Sequence, residues 1–185
     1  MSIPATIEII PYNPTWPAQF EQIAAPLRDA LGDLALRIDH IGSTSVPRLA
    51  AKDVIDVQVT VEQLDSELII AAMTNLGYVH LDWISGDHIP PSYDATPGEW
   101  RKLIFREPPG QRRVNLHVRA AGRANQRYAL LFRDYLRVAP LAAGAYAQVK
   151  LALARLHPTD QDAYYDVKDP VCDIIMAAAE LWAAE

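Results

Sequence analysis

One cysteine, Cys172, stands among 185 residues, so no intramolecular disulfide can form and a cysteine-based zinc site is not expected. No apolar run approaches the roughly 20 residues that a membrane-spanning helix needs. The opening Met1-Ser2-Ile3-Pro4-Ala5 has no basic patch followed by an apolar stretch. No secretory signal is therefore visible, and a cytoplasmic location is expected. Repeats, low-complexity tracts and flexible linkers are also missing. Half of the residues are hydrophobic and 22% are charged, which suits a single domain over 1–185 with a real core.

The net charge of −6 is unevenly spread. Ten of the 17 Lys and Arg lie between Arg101 and Arg137, with only Glu107 and Asp134 as acids. That segment carries +8 and the remainder −14. It should therefore meet negative charge. The overall acidity, with a pI near 5.3, argues against non-specific nucleic-acid binding. A small anionic ligand is the partner expected.

Ile7, Ile9 and Ile10 suggest a first strand, ended by Pro11-Tyr12-Asn13-Pro14. Trp16 to Leu31 has helical spacing, and Gly32 is placed to end it. Leu34 to Ile41 alternates as a strand. Val54 to Val61 is β-branched and apolar, as in a buried strand. Leu64 to Leu76 reads as a helix followed by Gly77. Residues 82–98 lose periodicity and form a long irregular loop. Leu103–Arg106 and Val114–Arg119 read as strands joined at Pro108-Pro109-Gly110. A helix after Asn125, a second from Pro140 to Leu156, and a third opened by Asp169-Pro170 complete a helical subregion of about 125–185. The order of elements implies an α+β or α/β domain with an appended helical part.

His40-Ile41-Gly42-Ser43-Thr44-Ser45 follows a strand. A Gly-Ser turn there opens backbone N–H and hydroxyl donors toward a phosphate oxygen. The next strand brings Lys52, Asp53 and Asp56, the last between Ile55 and Val57. A carboxylate inside an apolar strand is costly unless it is satisfied. The stretch from His40 to Val57 resembles the hallmark of the GrpB family, an uncharacterised family similar to the nucleotidyltransferase superfamily of DNA polymerase β type. The resemblance extends to Ile9–Trp16, Val114–Val118, Phe132–Arg137, Tyr146–Lys150, Tyr165–Lys168 and the final Ala-Glu-Leu-Trp. A similar domain is fused to some dephospho-coenzyme A kinases.

The resemblance implies an α+β fold: a mixed sheet flanked by helices, with a helical C-terminal part. It also implies a triphosphate on the Gly-Ser turn, two strand carboxylates two residues apart holding Mg²⁺, and a third from a neighbouring strand. Gly42-Ser43 matches the turn and Asp56 the first carboxylate. The second position is Gln58, and Asn115 and His117 stand where the third would fall. One of three carboxylates is thus evident. Arg48 and Asp53 stand where the family often has Gly and Pro.

Period-two geometry puts Asn115, His117 and Arg119 on one face of their strand, opposite Val114, Leu116 and Val118. A His and an Arg on one face suit an anion. The phosphate-binding candidates are Gly42, Ser43, Thr44, Ser45, Lys52, Arg101, Arg119, Arg133, Lys150 and Lys168. Asp56 and His117 are the catalytic candidates, with Asp56 also the Mg²⁺ ligand. Lys150 and Lys168 are two of only four lysines and match family positions. His80, Asp82, Asp87 and His88 carry metal-ligating types in no established spacing. Trp83, Tyr93 and Trp100 could stack on a base. The function expected is nucleotide or phosphoanion binding, with metal-dependent nucleotidyl transfer as the implied activity. The alternative is a non-catalytic module for a nucleotide or coenzyme A-type ligand, which Gln58 favours.

Overall fold

The computed structural model describes residues 6–64, 66–91 and 93–185. Its order is α1 (Trp16–Leu31), β1 (Arg37–Ile41), β2 (Ile55–Val61), α2 (Ser66–Asn75), β3 (Val79–His80), α3 (Pro97–Trp100), β4 (Leu103–Arg106), β5 (Val114–Ala120), α4 (Ala124–Val138), α5 (Pro140–Leu156) and α6 (Gln161–Ala183). The strands form one mixed sheet in the order β1-β2-β5-β4-β3. β2 and β5 run parallel, and the other neighbours are antiparallel. The expected α+β class, a mixed sheet with helices and a helical C-terminal part, is what forms.

Alternation decides which face carries chemistry. Ile55, Val57, Val59 and Val61 of β2 join Leu116 and Val118 of β5 in a core completed by Phe20, Leu27 and Met73 of α1 and α2. Burying such side chains contributes about 1.5–3 kcal/mol each. The opposite parity, Asp56 and Gln58 beside Asn115 and His117, must then face the other way. Over that face lies the helical part, whose own cores join Leu136, Tyr146 and Ile175, and Leu131, Met176 and Ala179. The polar residues of the two central strands are thereby enclosed between sheet and helices.

Several local expectations are corrected. The segment 7–10 forms no strand: Ile10 makes a single antiparallel bridge with Ala51, and the Ile7 N–H donates to the Pro158 carbonyl. Pro11 cannot extend a ladder, since it has no N–H. β1 starts at Arg37 rather than Leu34, because Gly32–Leu34 make a 3₁₀ turn. The last helix does not open at Asp169-Pro170. It begins at Gln161, capped by Asp160, whose carboxylate accepts from Ala163 N–H at 3.0 Å, and runs through Pro170. An interior proline costs a helix about 3 kcal/mol. Burial on both sides of it, by Tyr164 before and by Cys172, Ile175 and Met176 after, offsets that cost. The irregular loop contributes the short α3, and β3 adds a strand that the sequence pattern did not single out.

Candidate functional site

The chain leaves β1 at Ile41 and turns at Gly42, whose φ is +66°. A Cβ there would lie 2.9 Å from Cβ and Cγ of Asp56, and closer still to Oδ2. Glycine is thus required twice, by its backbone angle and by the carboxylate pressed against it. Ser45 donates its hydroxyl to the Gly42 carbonyl at 2.6 Å, and Thr44 is 2.9 Å from His40 Nε2. Thr44 and Ser45 are buried and hold the turn, and Ser43 and Thr44 line an open cleft. Arg48 has a φ of +68° and an exposed side chain, so its backbone lies in the region that favours glycine.

The cleft beside Ser43 has a volume of about 190 Å³ and gathers Lys52, Lys150 and Lys168 from three parts of the chain. Lys150 of α5 is buried and donates to Ser43 Oγ at 2.8 Å and to the Ala50 carbonyl at 2.6 Å. Lys168 of α6 pairs with Asp169 at 2.5 Å. Among the described residues, neither Lys52 nor Lys150 has a carboxylate partner within ion-pair distance. Their ammonium groups rest on aromatic faces instead. Lys52 lies 4.1 Å from the Tyr164 ring centre and 4.8 Å from that of Tyr165, and Lys150 lies 4.5 Å from that of Tyr146. A ring face stabilises a cation without neutralising it. Burial, then the neighbouring Lys168, lowers the pKa of Lys52 to about 8. Burial lowers that of Lys150 to about 7, although Cys172 and Asp56 act in the opposite direction. Lys168 is raised to about 12, because Cys172 and Asp169 outweigh its burial. The cleft is thus a crowd of desolvated ammonium groups short of negative charge.

Asp56 lines this cleft and also a second cavity of about 230 Å³ on its other side. Burial raises its pKa, a shift limited by Asn115, which donates to Oδ1 at 2.8 Å, and by Lys168. The second cavity has a largely aromatic wall of Trp100, Tyr128 and Phe132, with His117, Arg119 and Asp87 at one end. Arg119 donates to both oxygens of Asp87, at 2.9 and 3.0 Å, and to Gln58 Oε1 at 2.6 Å. Lys102 and Asn125 also donate to Asp87, at 2.6 and 3.0 Å. Burial opposes ionisation of Asp87, but Arg119 and Lys102 override it and hold the carboxyl below the usual range. The Arg119 charge is therefore met by Asp87. Burial, reinforced by Arg119 and Lys102, keeps His117 neutral near pH 7.

The donor set does not fit a two-cation Mg²⁺ site. Gln58 is fully buried, with its oxygen on Arg119 and its nitrogen on the Gln126 carbonyl at 3.2 Å. Asn115, level with Asp56 in the ladder, turns its NH₂ toward that carboxylate. Mg²⁺ takes oxygen donors, and Asp56 is the one carboxylate on these strand positions. Among the described residues, no three His, Cys, Asp or Glu cluster as metal ligands would. This also disperses the loop cluster: Asp87 joins Arg119, His88 pairs with Asp173 at 3.0 Å, and His80 packs on Phe105.

The remaining candidates separate clearly. Ser43, Thr44, Lys52, Asp56, Lys150 and Lys168 come together in the lysine cleft, and Gly42, Asp56, His117 and Arg119 border the aromatic cavity. Three expected cleft residues lie elsewhere, Ser45 being buried in the turn itself. Arg101 shares the parity of Leu103 and Phe105, which point into the opposite core, and is exposed. Arg133 donates to the His40 carbonyl at 3.1 Å and to Asp134 at 2.7 Å, locking α4 to β1. Of the candidate stacking rings, Trp100 lines the aromatic cavity, Tyr93 donates to Glu180 at 2.7 Å, and Trp83 is exposed. Nothing in the sequence pattern singles out Asn125, Tyr128 or Tyr164 as lining residues. Tyr146 and Tyr165 lie in the family-like segments with Lys150 and Lys168, which is the signal that could have found them.

A family model described as GrpB protein matches residues 6–178. The chain belongs to the GrpB family. Its similarity to the crystal structure of the conserved protein GrpB from Enterococcus faecalis has a TM-score of 0.79 at 31% identity, covering 96% of this chain and 100% of that one. A UPF0157 protein of Pseudomonas aeruginosa is 37% identical over 94% of this chain and 67% of its own length. A protein of Mycolicibacterium paratuberculosis named dephospho-CoA kinase is 38% identical over 90% of this chain and 44% of its own length. This GrpB-family chain thus spans less than half the length of such mycobacterial relatives. Among its described residues, no helix is long and apolar enough to cross a membrane.

Proposed function

We propose that this GrpB-family chain binds a phosphate-bearing small molecule of nucleotide or coenzyme A type, with its phosphate in the lysine cleft beside Ser43. One observation carries the reading: Lys52 and Lys150 are half-buried or buried ammonium groups held on tyrosine faces with no carboxylate partner among the described residues. A bound phosphate supplies the missing charge and converts a desolvation penalty into charge-assisted hydrogen bonds. Ser43, Thr44 and Lys168 also line the cleft, with Asp56 as a carboxylate at its side. The relatives named dephospho-CoA kinase support a ligand of this class.

Of the two functional alternatives, the donor set favours binding without metal. Gln58 and Asn115 occupy strand positions at which Mg²⁺ would take carboxylates. The test is a calorimetric titration of pyrophosphate, ATP and coenzyme A, each with and without Mg²⁺. Binding should be retained without Mg²⁺, should be lost in Lys150→Met, and should tighten in Asp56→Asn, which removes a negative charge from the cleft. Binding that requires Mg²⁺ and disappears in Asp56→Asn would instead establish the metal-dependent transferase reading.

A further inference from the structure

The aromatic cavity on the far side of Asp56 has a different inventory from the lysine cleft. Its strongest donor is already committed: Arg119 spends Nε, Nη1 and Nη2 on Asp87 and Gln58. Asp87 is likewise filled, by Arg119, Lys102 and Asn125, but three other acceptors are open. Asp56 Oδ1 receives Asn115 and Asp169 Oδ1 receives Lys168, leaving the second oxygen of each without a partner among the described residues. Asn125 is the decisive case. It lines the cavity, is 2% exposed, and its Oδ1 has no partner among the described residues. Its orientation is fixed, because Nδ2 donates to Asp87 Oδ2 and to the Arg101 carbonyl, both at 3.0 Å, and both of those are obligate acceptors. A buried carbonyl oxygen left without a donor costs about 1–3 kcal/mol, so a site that keeps one calls for a ligand that donates.

The neighbouring rings sharpen the class. Tyr128 and Phe132 stack with centres 6.2 Å apart, and Trp100 stands edge-on to Tyr128 at 6.1 Å. Aromatic walls suit an apolar body and attract a cation to their faces. An ammonium has several donors, no acceptor and affinity for ring faces. We propose that this cavity binds a small organic amine, its ammonium directed to Asn125 Oδ1, Asp56 and Asp169 and its apolar body against Trp100, Tyr128 and Phe132. The chain then holds ligands of opposite charge on the two sides of Asp56. The inference stands on its own cavity and goes beyond the phosphate reading.

The experiment is isothermal titration of the whole chain with phenethylammonium and with its uncharged counterpart 2-phenylethanol. Phenethylammonium should bind at least about tenfold more tightly, given the cation–π and carboxylate contribution. Ala129→Leu fills the cavity from α4 with a good helix former, and should abolish amine binding while leaving pyrophosphate binding intact. Asp56→Asn should weaken the amine and tighten pyrophosphate, since this residue alone lines both spaces. Equal affinity for the alcohol, no amine binding at millimolar concentration, or full amine binding in Ala129→Leu overturns the inference. Pyrophosphate binding without amine preference leaves the phosphate reading standing, and amine binding without pyrophosphate does the reverse. A thermal melt of each variant confirms that it is folded.

Discussion

Lys150 makes the charge of the lysine cleft dependent on pH near neutrality. Its pKa is lowered to about 7, chiefly by burial, from an ordinary value of 10.5. The unfolded chain therefore holds more protons on this residue between about pH 7 and 10, so the ligand-free protein gains stability as pH rises through that window. The gain from Lys150 is about 2 kcal/mol between pH 7 and 9. Anion binding has the opposite sign. An anion engages the ammonium form, so each unit above pH 7 spends more of the binding energy on reprotonating the lysine. Affinity should fall at least about fiftyfold between pH 7 and 9, the same free energy seen from the bound state. Sulfate is the appropriate probe, because its own charge is constant over this range. Calorimetry in two buffers of different ionisation enthalpy should show proton uptake on binding. Lys150→Arg keeps its charge at every pH and should flatten the profile, with the residual slope tracing to Lys52, lowered to about 8. Sulfate affinity that does not change between pH 7 and 9, or that falls equally in Lys150→Arg, refutes the reasoning.

Three further outcomes follow from local geometry. Gly42→Ala places a methyl against Asp56 at a φ of +66°, which should cost about 1–3 kcal/mol in chemical denaturation and abolish anion binding; wild-type values for both would contradict the geometry. Arg48→Gly relieves a left-handed residue at +68° and should raise stability by up to about 1 kcal/mol, read as a higher urea midpoint without altered ligand binding. Asp87→Ala strands Arg119 and Lys102 as buried cations and should destabilise by about 3–5 kcal/mol, while a loss under 1 kcal/mol would mean that water or a shifted side chain replaces the carboxylate.

The sheet was legible because alternation and β-branching mark its central strands. Ile55–Val61 and Val114–Ala120 carry their apolar residues on one parity, and the polar parity that remains contains Asp56, Gln58, Asn115 and His117. The ends of elements were harder to read, because tertiary contacts decide them. Leu34 and Leu36 alternate as a strand would, but both are exposed on a turn that pairs with nothing until Leu36 meets Thr60. Pro170 looks like a helix start and lies inside a helix because Tyr164 is anchored against Ile7 and Leu153 one segment earlier. The aromatic cavity is illegible in the sequence for another reason. Its walls come from α3, α4 and α6, and nothing in their spacing shows that they converge over β2 and β5.

The basic segment teaches the difference between charge and available charge. Residues 101–137 do meet negative charge, but much of it belongs to the same chain. Six of their ten cations pair with acids outside the segment: Lys102 and Arg119 with Asp87, Arg112 with Asp53, Arg123 with Glu99, Arg127 with Glu180, and Arg133 with Asp39. These pairs bind the late strands and α4 to the acidic remainder. Arg101, Arg106 and Arg113 have no acid partner among the described residues but line neither cavity, whereas the cations of the lysine cleft come from outside the segment, and their chemical type matters. A guanidinium keeps its charge and demands a fixed fork of acceptors, as Arg119 does. An ammonium on a flexible stem can rest on a tyrosine face, lose part of its protonation when desolvated, and regain it when a phosphate arrives. Lys52 and Lys150 lack the built-in acid that Arg119 and Lys102 share in Asp87. Replacing Lys52 or Lys150 by arginine should therefore preserve anion binding at high pH, and replacing Arg119 by lysine should loosen the Asp87 cluster.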